Sequence, residues 1–90
     1  MGKRLLITGL VQGVGYRYAF SDQAQALGLA GWVRNRRDGS VEALVQGDAA
    51  ALQAIIAWAH RGPPAARVDR VAVTDDATSA SPGFVIHPTN

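Results

Sequence analysis

The chain has 90 residues, 48% of them hydrophobic and 18% charged, with no cysteine and a formal net charge of +2. That length supports one domain with one modest core. The composition excludes a disordered tail, and the lack of cysteine excludes disulfides and thiolate metal sites.

No run of about 18 apolar residues occurs, so no transmembrane helix is expected. The start MGKRLLITGL is basic and then apolar, but Thr8 and Gly9 interrupt a short apolar stretch, which reads as a strand rather than a signal peptide. A single domain over residues 1–90, working as a monomer in a reducing cytoplasm, is the expectation. Eight of the nine basic residues are arginine, with Arg34, Arg36 and Arg37 in one cluster. Such a cluster is either a solvated face or a field for an anionic ligand. A charge of +2 is small for a dedicated nucleic-acid binder, so no nucleic-acid partner is expected.

In chain order, residues 3–11 read as a strand rich in leucine, isoleucine and valine. After a glycine turn, Tyr16, Phe20, Ala24 and Leu27 recur at helical spacing, and Gly28 marks the stop. Residues 29–35 and 41–46 read as two strands joined by Arg36-Arg37-Asp38-Gly39, whose Asp-Gly pair favours a hairpin. In the second of them Val41, Ala43 and Val45 point one way, and Glu42, Leu44 and Gln46 the other. Asp48 is a natural cap for a helix with Leu52, Ile55, Ile56 and Ala59 on its buried stripe, ended by Gly62-Pro63-Pro64. Residues 68–74 form a fourth strand, 75–83 a polar loop and 84–87 a short last strand. The order β-α-β-β-α-β, with that terminal strand added, is the split βαβ or ferredoxin-like pattern, an α+β fold with two helices on one face of a mostly antiparallel sheet.

The residues offer little nucleophilic machinery. There is no cysteine and no serine in a nucleophile elbow, and His60 and His87 are the only near-neutral bases. The acids are scattered, so neither a metal site nor a carboxylate pair is expected. What remains is an anion site in Val11-Gln12-Gly13-Val14-Gly15-Tyr16-Arg17. A strand-to-helix turn leaves backbone N–H groups unpaired at the positive end of a helix dipole. Glycines at 13 and 15 let those groups converge, and Arg17 adds a planar fork that suits a phosphoryl group. Taken singly, the glycines serve a turn, Arg17 is a surface arginine and Asn35 opens a hairpin. Tyr16, Trp32 and Trp58 are read as packing residues.

Read together, VQGVGYR, Gly31-Trp32-Val33-Arg34-Asn35 and Asp38-Gly39-Ser40-Val41-Glu42 resemble the acylphosphatase family across essentially the whole chain. That family hydrolyses acyl phosphates to carboxylate and inorganic phosphate without metal or cofactor. The resemblance implies that the backbone N–H groups of Gln12, Gly13, Val14, Gly15, Tyr16 and Arg17 wrap the phosphate, with the Arg17 side chain binding it. Asn35 would hold the attacking water. Two departures stand out: Arg36 follows Asn35 where vertebrate members often have threonine, and the C-terminal His87-Pro88-Thr89-Asn90 lacks the family's usual aromatic or arginine ending.

Two other readings compete. A relative specialised for carbamoyl phosphate carries the same motif as the N-terminal domain of a longer hydrogenase-maturation protein. The ninety-residue chain without zinc-finger cysteines favours the free-standing enzyme. A ferredoxin-like RNA-binding module would present aromatics on its central strands, and the first and third strands have none.

Overall fold

A computed structural model describes all residues from Met1 to Asn90. The elements are β1 (Gly2–Leu10), α1 (Tyr16–Ala26), β2 (Ala30–Asn35), β3 (Val41–Gln46), α2 (Ala49–Arg61), β4 (Arg67–Asp75) and β5 (Phe84–Ile86). The five strands lie in the order β4-β1-β3-β2-β5. Neighbours are antiparallel except β2 and β5, which run parallel. The split βαβ expectation is therefore met, with each helix crossing over one intervening strand. No helix is long and apolar enough to cross a membrane.

One cluster holds the layers together. Leu5, Ile7, Val33, Val41, Ala43, Val45 and Phe84 point from the sheet onto Tyr16, Phe20 and Ala24 of α1 and Leu52, Ile55 and Ala59 of α2. The period-3.6 stripe of α1 meets the period-2 alternation of the strands, so both helices cover the same sheet face. Trp58 closes this layer with ring centroids 5.5 Å from Tyr16 and 5.9 Å from Phe20. The Tyr16 hydroxyl donates to the carbonyl of Ala59 at 2.8 Å, pinning the start of α1 to the end of α2. Burial pushes its pKa well above the usual tyrosine value.

The strand ends move slightly from the sequence reading. β1 pairs with β4 through a register slip between Thr8 and Gly9 and stops at Leu10, and Val11 is buried in the core as the first residue of the loop. On β3 the alternation is as read, but Glu42 and Leu44 on the uncovered face are as buried as their neighbours, at 2% and 3% exposure. The cover of Glu42 is side chains rather than a helix, as described below.

This topology places the site. β1 and β2 run the same way on either side of β3, so the loop after β1 and the end of β2 emerge at one end of the sheet.

Candidate active site

Residues 11–15 connect β1 to α1. Gly13 and Gly15 have φ of 75° and 79°, and a Cβ at either would meet nothing within 4 Å. Their requirement is thus conformational: left-handed backbone, which glycine adopts without steric cost. Gly15 caps α1 with no side-chain hydrogen bond and no acid in the first turn. α2 differs, because Asp48 accepts from the N–H of Ala51 at 2.8 Å.

The first intrahelical bond of α1 runs from Ala19 N–H to Gly15 C=O at 3.0 Å, and no N–H from Gln12 to Tyr18 donates to any backbone or side-chain acceptor. A curled run of free donors at a helix N-terminus is a nest for an anion. Val14 packs partly against the core and Tyr16 lies within it, so these two residues offer the nest their N–H groups and not their side chains.

Arg17 makes no ion pair with any carboxylate. Its guanidinium sits over the exposed Tyr18 ring, 5.7 Å from the centroid. Its charge is therefore not neutralised by any carboxylate of the protein.

Asn35 ends β2, on the face it shares with the buried Val33. Its side-chain Oδ1 is buried and receives no hydrogen bond. A buried acceptor without a donor is rare and costs about 1–3 kcal/mol. Its backbone is tightly held, since the Asn35 carbonyl accepts from Asn90 N–H at 3.0 Å and the Asn90 carbonyl accepts from Arg37 N–H at 3.1 Å. The C-terminal segment, for which the sequence offered no role, thus extends the parallel pairing of β5 alongside β2 up to Asn35.

Gln12 joins the two halves. Its Nε2 donates to the carbonyls of Arg36 at 2.7 Å and Ser40 at 2.9 Å, tying the loop to the base of the hairpin one residue beyond Asn35. The sequence reading gave Gln12 only a backbone role; its amide side chain is what sets loop against hairpin. Gln12→Ala is expected to cost about 1–2 kcal/mol of stability, for two lost hydrogen bonds to carbonyls. The same variant should lower turnover about tenfold through looser geometry. Urea denaturation and steady-state kinetics measure the two effects.

The hairpin itself is built locally. The Asp38 carboxylate accepts from the Ser40 hydroxyl at 2.6 Å and the Ser40 N–H at 3.0 Å, and these bonds hold its pKa below the usual aspartate value. On the uncovered sheet face Glu42 is ringed by Arg4, Arg34 and Arg36. Arg34 also lies 4.7 Å over the Trp32 ring, which stacks on His87 at 5.2 Å. Trp32 packs as read, but on the uncovered face. His60 turns its Nδ1 to the Ile56 carbonyl at 2.9 Å in the last turn of α2.

The acylphosphatase family model matches residues 3–86. An acylphosphatase from Azoarcus sp. (strain BH72) is 56% identical over 90 residues, covering 99% of this chain and 92% of its own. One from Acidovorax sp. (strain JS42) is 56% identical over 82 residues, covering 91% and 84%. The crystal structure of acylphosphatase from Bacillus subtilis matches with a TM-score of 0.90 at 38% identity, over 96% of this chain and 97% of that one. Fold, motifs and family model agree over nearly the whole length, and the chain belongs to the acylphosphatase family, hydrolases of acyl phosphates.

Proposed function

We propose that in this acyl-phosphate hydrolase the N–H groups of residues 12–17 and the Arg17 guanidinium hold the phosphoryl group, while Asn35 orients the attacking water. The observation that carries the reading is the unbroken run of free N–H donors at the start of α1, whose first turn also carries Arg17, a cation that no carboxylate engages. The Asn35 side-chain amide can both donate and accept a hydrogen bond, and its Oδ1 accepts none within the protein, which leaves that acceptor for orienting a water.

The chemistry asks little of the protein beyond placement. The water oxygen forms a bond to phosphorus as the bond from phosphorus to the acyl oxygen breaks. The carboxylate departs with its electron pair and needs no acid. Donors fixed around the phosphoryl oxygens stabilise the charge that shifts onto them, and they cost no reorganisation at the moment of reaction. None of the assigned groups is a base: an asparagine amide does not take up the proton, and the Tyr16 hydroxyl already donates to Ala59. The water proton therefore passes to a phosphoryl oxygen of the substrate. All these groups come from one chain, so the reading needs no second subunit, and a cytoplasmic monomer is its setting.

Hydrolysis of an aryl acyl phosphate, persisting in chelator and inhibited competitively by inorganic phosphate, is the expected result for the purified protein. Folded protein without hydrolysis would overturn the reading. Arg17→Ala should weaken phosphate inhibition about 10- to 100-fold, because hydrogen bonds to a charged group contribute about 1.5–3 kcal/mol. Titrating inorganic phosphate against turnover measures it.

A further inference from the structure

We propose that the Arg36–Glu42 ion pair is a positioning device for Asn35, applied from the opposite face of the sheet. The proposal rests on the assignment of Asn35 as the residue that orients water. Strand alternation turns Asn35 toward the helices and its two neighbours, Arg34 and Arg36, toward the uncovered face. Both neighbours meet the same acceptor there. Glu42 Oε1 takes Arg34 at 2.8 Å and Arg36 at 3.4 Å, while Oε2 takes Arg4 from β1. Only 2% of Glu42 is exposed, which makes it a buried carboxylate spanning β1, β3, β2 and the residue just past the end of β2.

Arg36 is the joint in this arrangement. Its N–H donates to the Ser40 carbonyl at 2.8 Å, and its own carbonyl accepts from Gly39 N–H at 3.1 Å and Gln12 Nε2 at 2.7 Å. One residue thus binds Glu42 through its side chain, the nest through Gln12 and Asn35 through a peptide bond. Residues 37–39 beyond it are exposed, and exposed hairpin tips open at low free energy. Clasping Arg36 stops that opening before it reaches Asn35. A shift of about 1 Å in a positioning group is enough to cost up to about a hundredfold in rate.

Arg4 supplies the internal control, because it binds the same carboxylate from the far strand and has no link to Asn35. Arg36→Ala is expected to lower kcat about tenfold, with inhibition by inorganic phosphate within about twofold of wild type. Arg36→Lys should restore most of the loss, since an ammonium still reaches Glu42, though without the guanidinium fork. Arg4→Ala should lower the melting temperature while keeping kcat within about twofold, because residues outside the site act on stability rather than on placement.

Three results overturn the proposal: wild-type kcat in Arg36→Ala, an equal fall of kcat in Arg4→Ala, or a loss in Arg36→Ala that falls on phosphate inhibition instead of kcat. Asn35→Ala belongs in the same assay. If it retains turnover, the assignment of Asn35 fails; if it is inactive while Arg36→Ala is fully active, only the positioning role fails.

Discussion

Asn35→Ala is expected to lose turnover by about two to three orders of magnitude, equivalent to about 3–4 kcal/mol of transition-state stabilisation. Inhibition by inorganic phosphate should stay at the wild-type level, because the free N–H groups and Arg17 are untouched. On the proposed assignment the loss falls on kcat, because the amide would act on the water and not on the phosphoryl group. The same substitution should not destabilise the fold. Asn35 Oδ1 is buried without a donor, so deleting it removes a group whose desolvation nothing offsets. Its other attachments are main-chain bonds to Asn90 and the β3 ladder, and alanine keeps them. Reduced turnover with an equal or higher melting temperature is the signature of a residue placed for chemistry at some cost to stability. Turnover within about threefold of wild type would sink the assignment, since losing a positioning group costs far more than that.

Much of this was legible in the sequence because it is local. Tyr16, Phe20 and Ala24 at helical spacing, Gly15 before them and Asp38-Gly39 between two strands each encode their own backbone geometry. Their interactions lie within a few residues. The order of elements then brings the turn and Asn35 to one end of the sheet. What stayed hidden depends on contacts across the fold. Gln12 donates to carbonyls 24 and 28 residues away, and a glutamine in a loop looks the same with or without them.

Glu42 shows a second kind of blindness. Period-2 alternation says which face a side chain occupies, but not whether that face is wet. Here arginines from β1 and β2 and just beyond β2 lay their charges over the carboxylate, so an uncovered face becomes a buried one. The C-terminal segment is a third case. His87-Pro88-Thr89-Asn90 has no apolar alternation to announce a strand, yet its backbone pairs with β2 as far as Asn35 and Arg37.

The largest stability effect is expected at Glu42. Deleting one partner of a buried ion pair typically costs about 3–5 kcal/mol, because the charge left behind has lost its counter-ion and not regained its water. The arginines left by Glu42→Ala are partly wet, with side-chain exposures of 39%, 27% and 32% for Arg4, Arg34 and Arg36. They recover some hydration, which puts the expected cost near the lower end, about 3 kcal/mol. Even that is a large share of the roughly 5–13 kcal/mol that holds a chain of this size.

Acid should act through the same group. Burial alone would raise the Glu42 pKa, but the hydrogen bonds and charges of Arg34 and Arg4 together outweigh it, and the carboxyl lies below its ordinary value of 4.5. A carboxyl with a depressed folded pKa stabilises fully above its unfolded value, and that contribution is lost as pH falls through the folded one. Wild-type stability should therefore decline as pH falls through about 4.5, where unfolded glutamates are about half protonated while folded Glu42 is still ionised. Glu42→Gln should be less stable than wild type at neutral pH and lose less on acidification. Asp38 is also held low by Ser40 and keeps its own acid response, so the slope is reduced rather than abolished. Urea titrations of both proteins at pH 7 and pH 3.5 decide it: an unchanged gap between them at the two pH values would show that Glu42 is not the group that titrates.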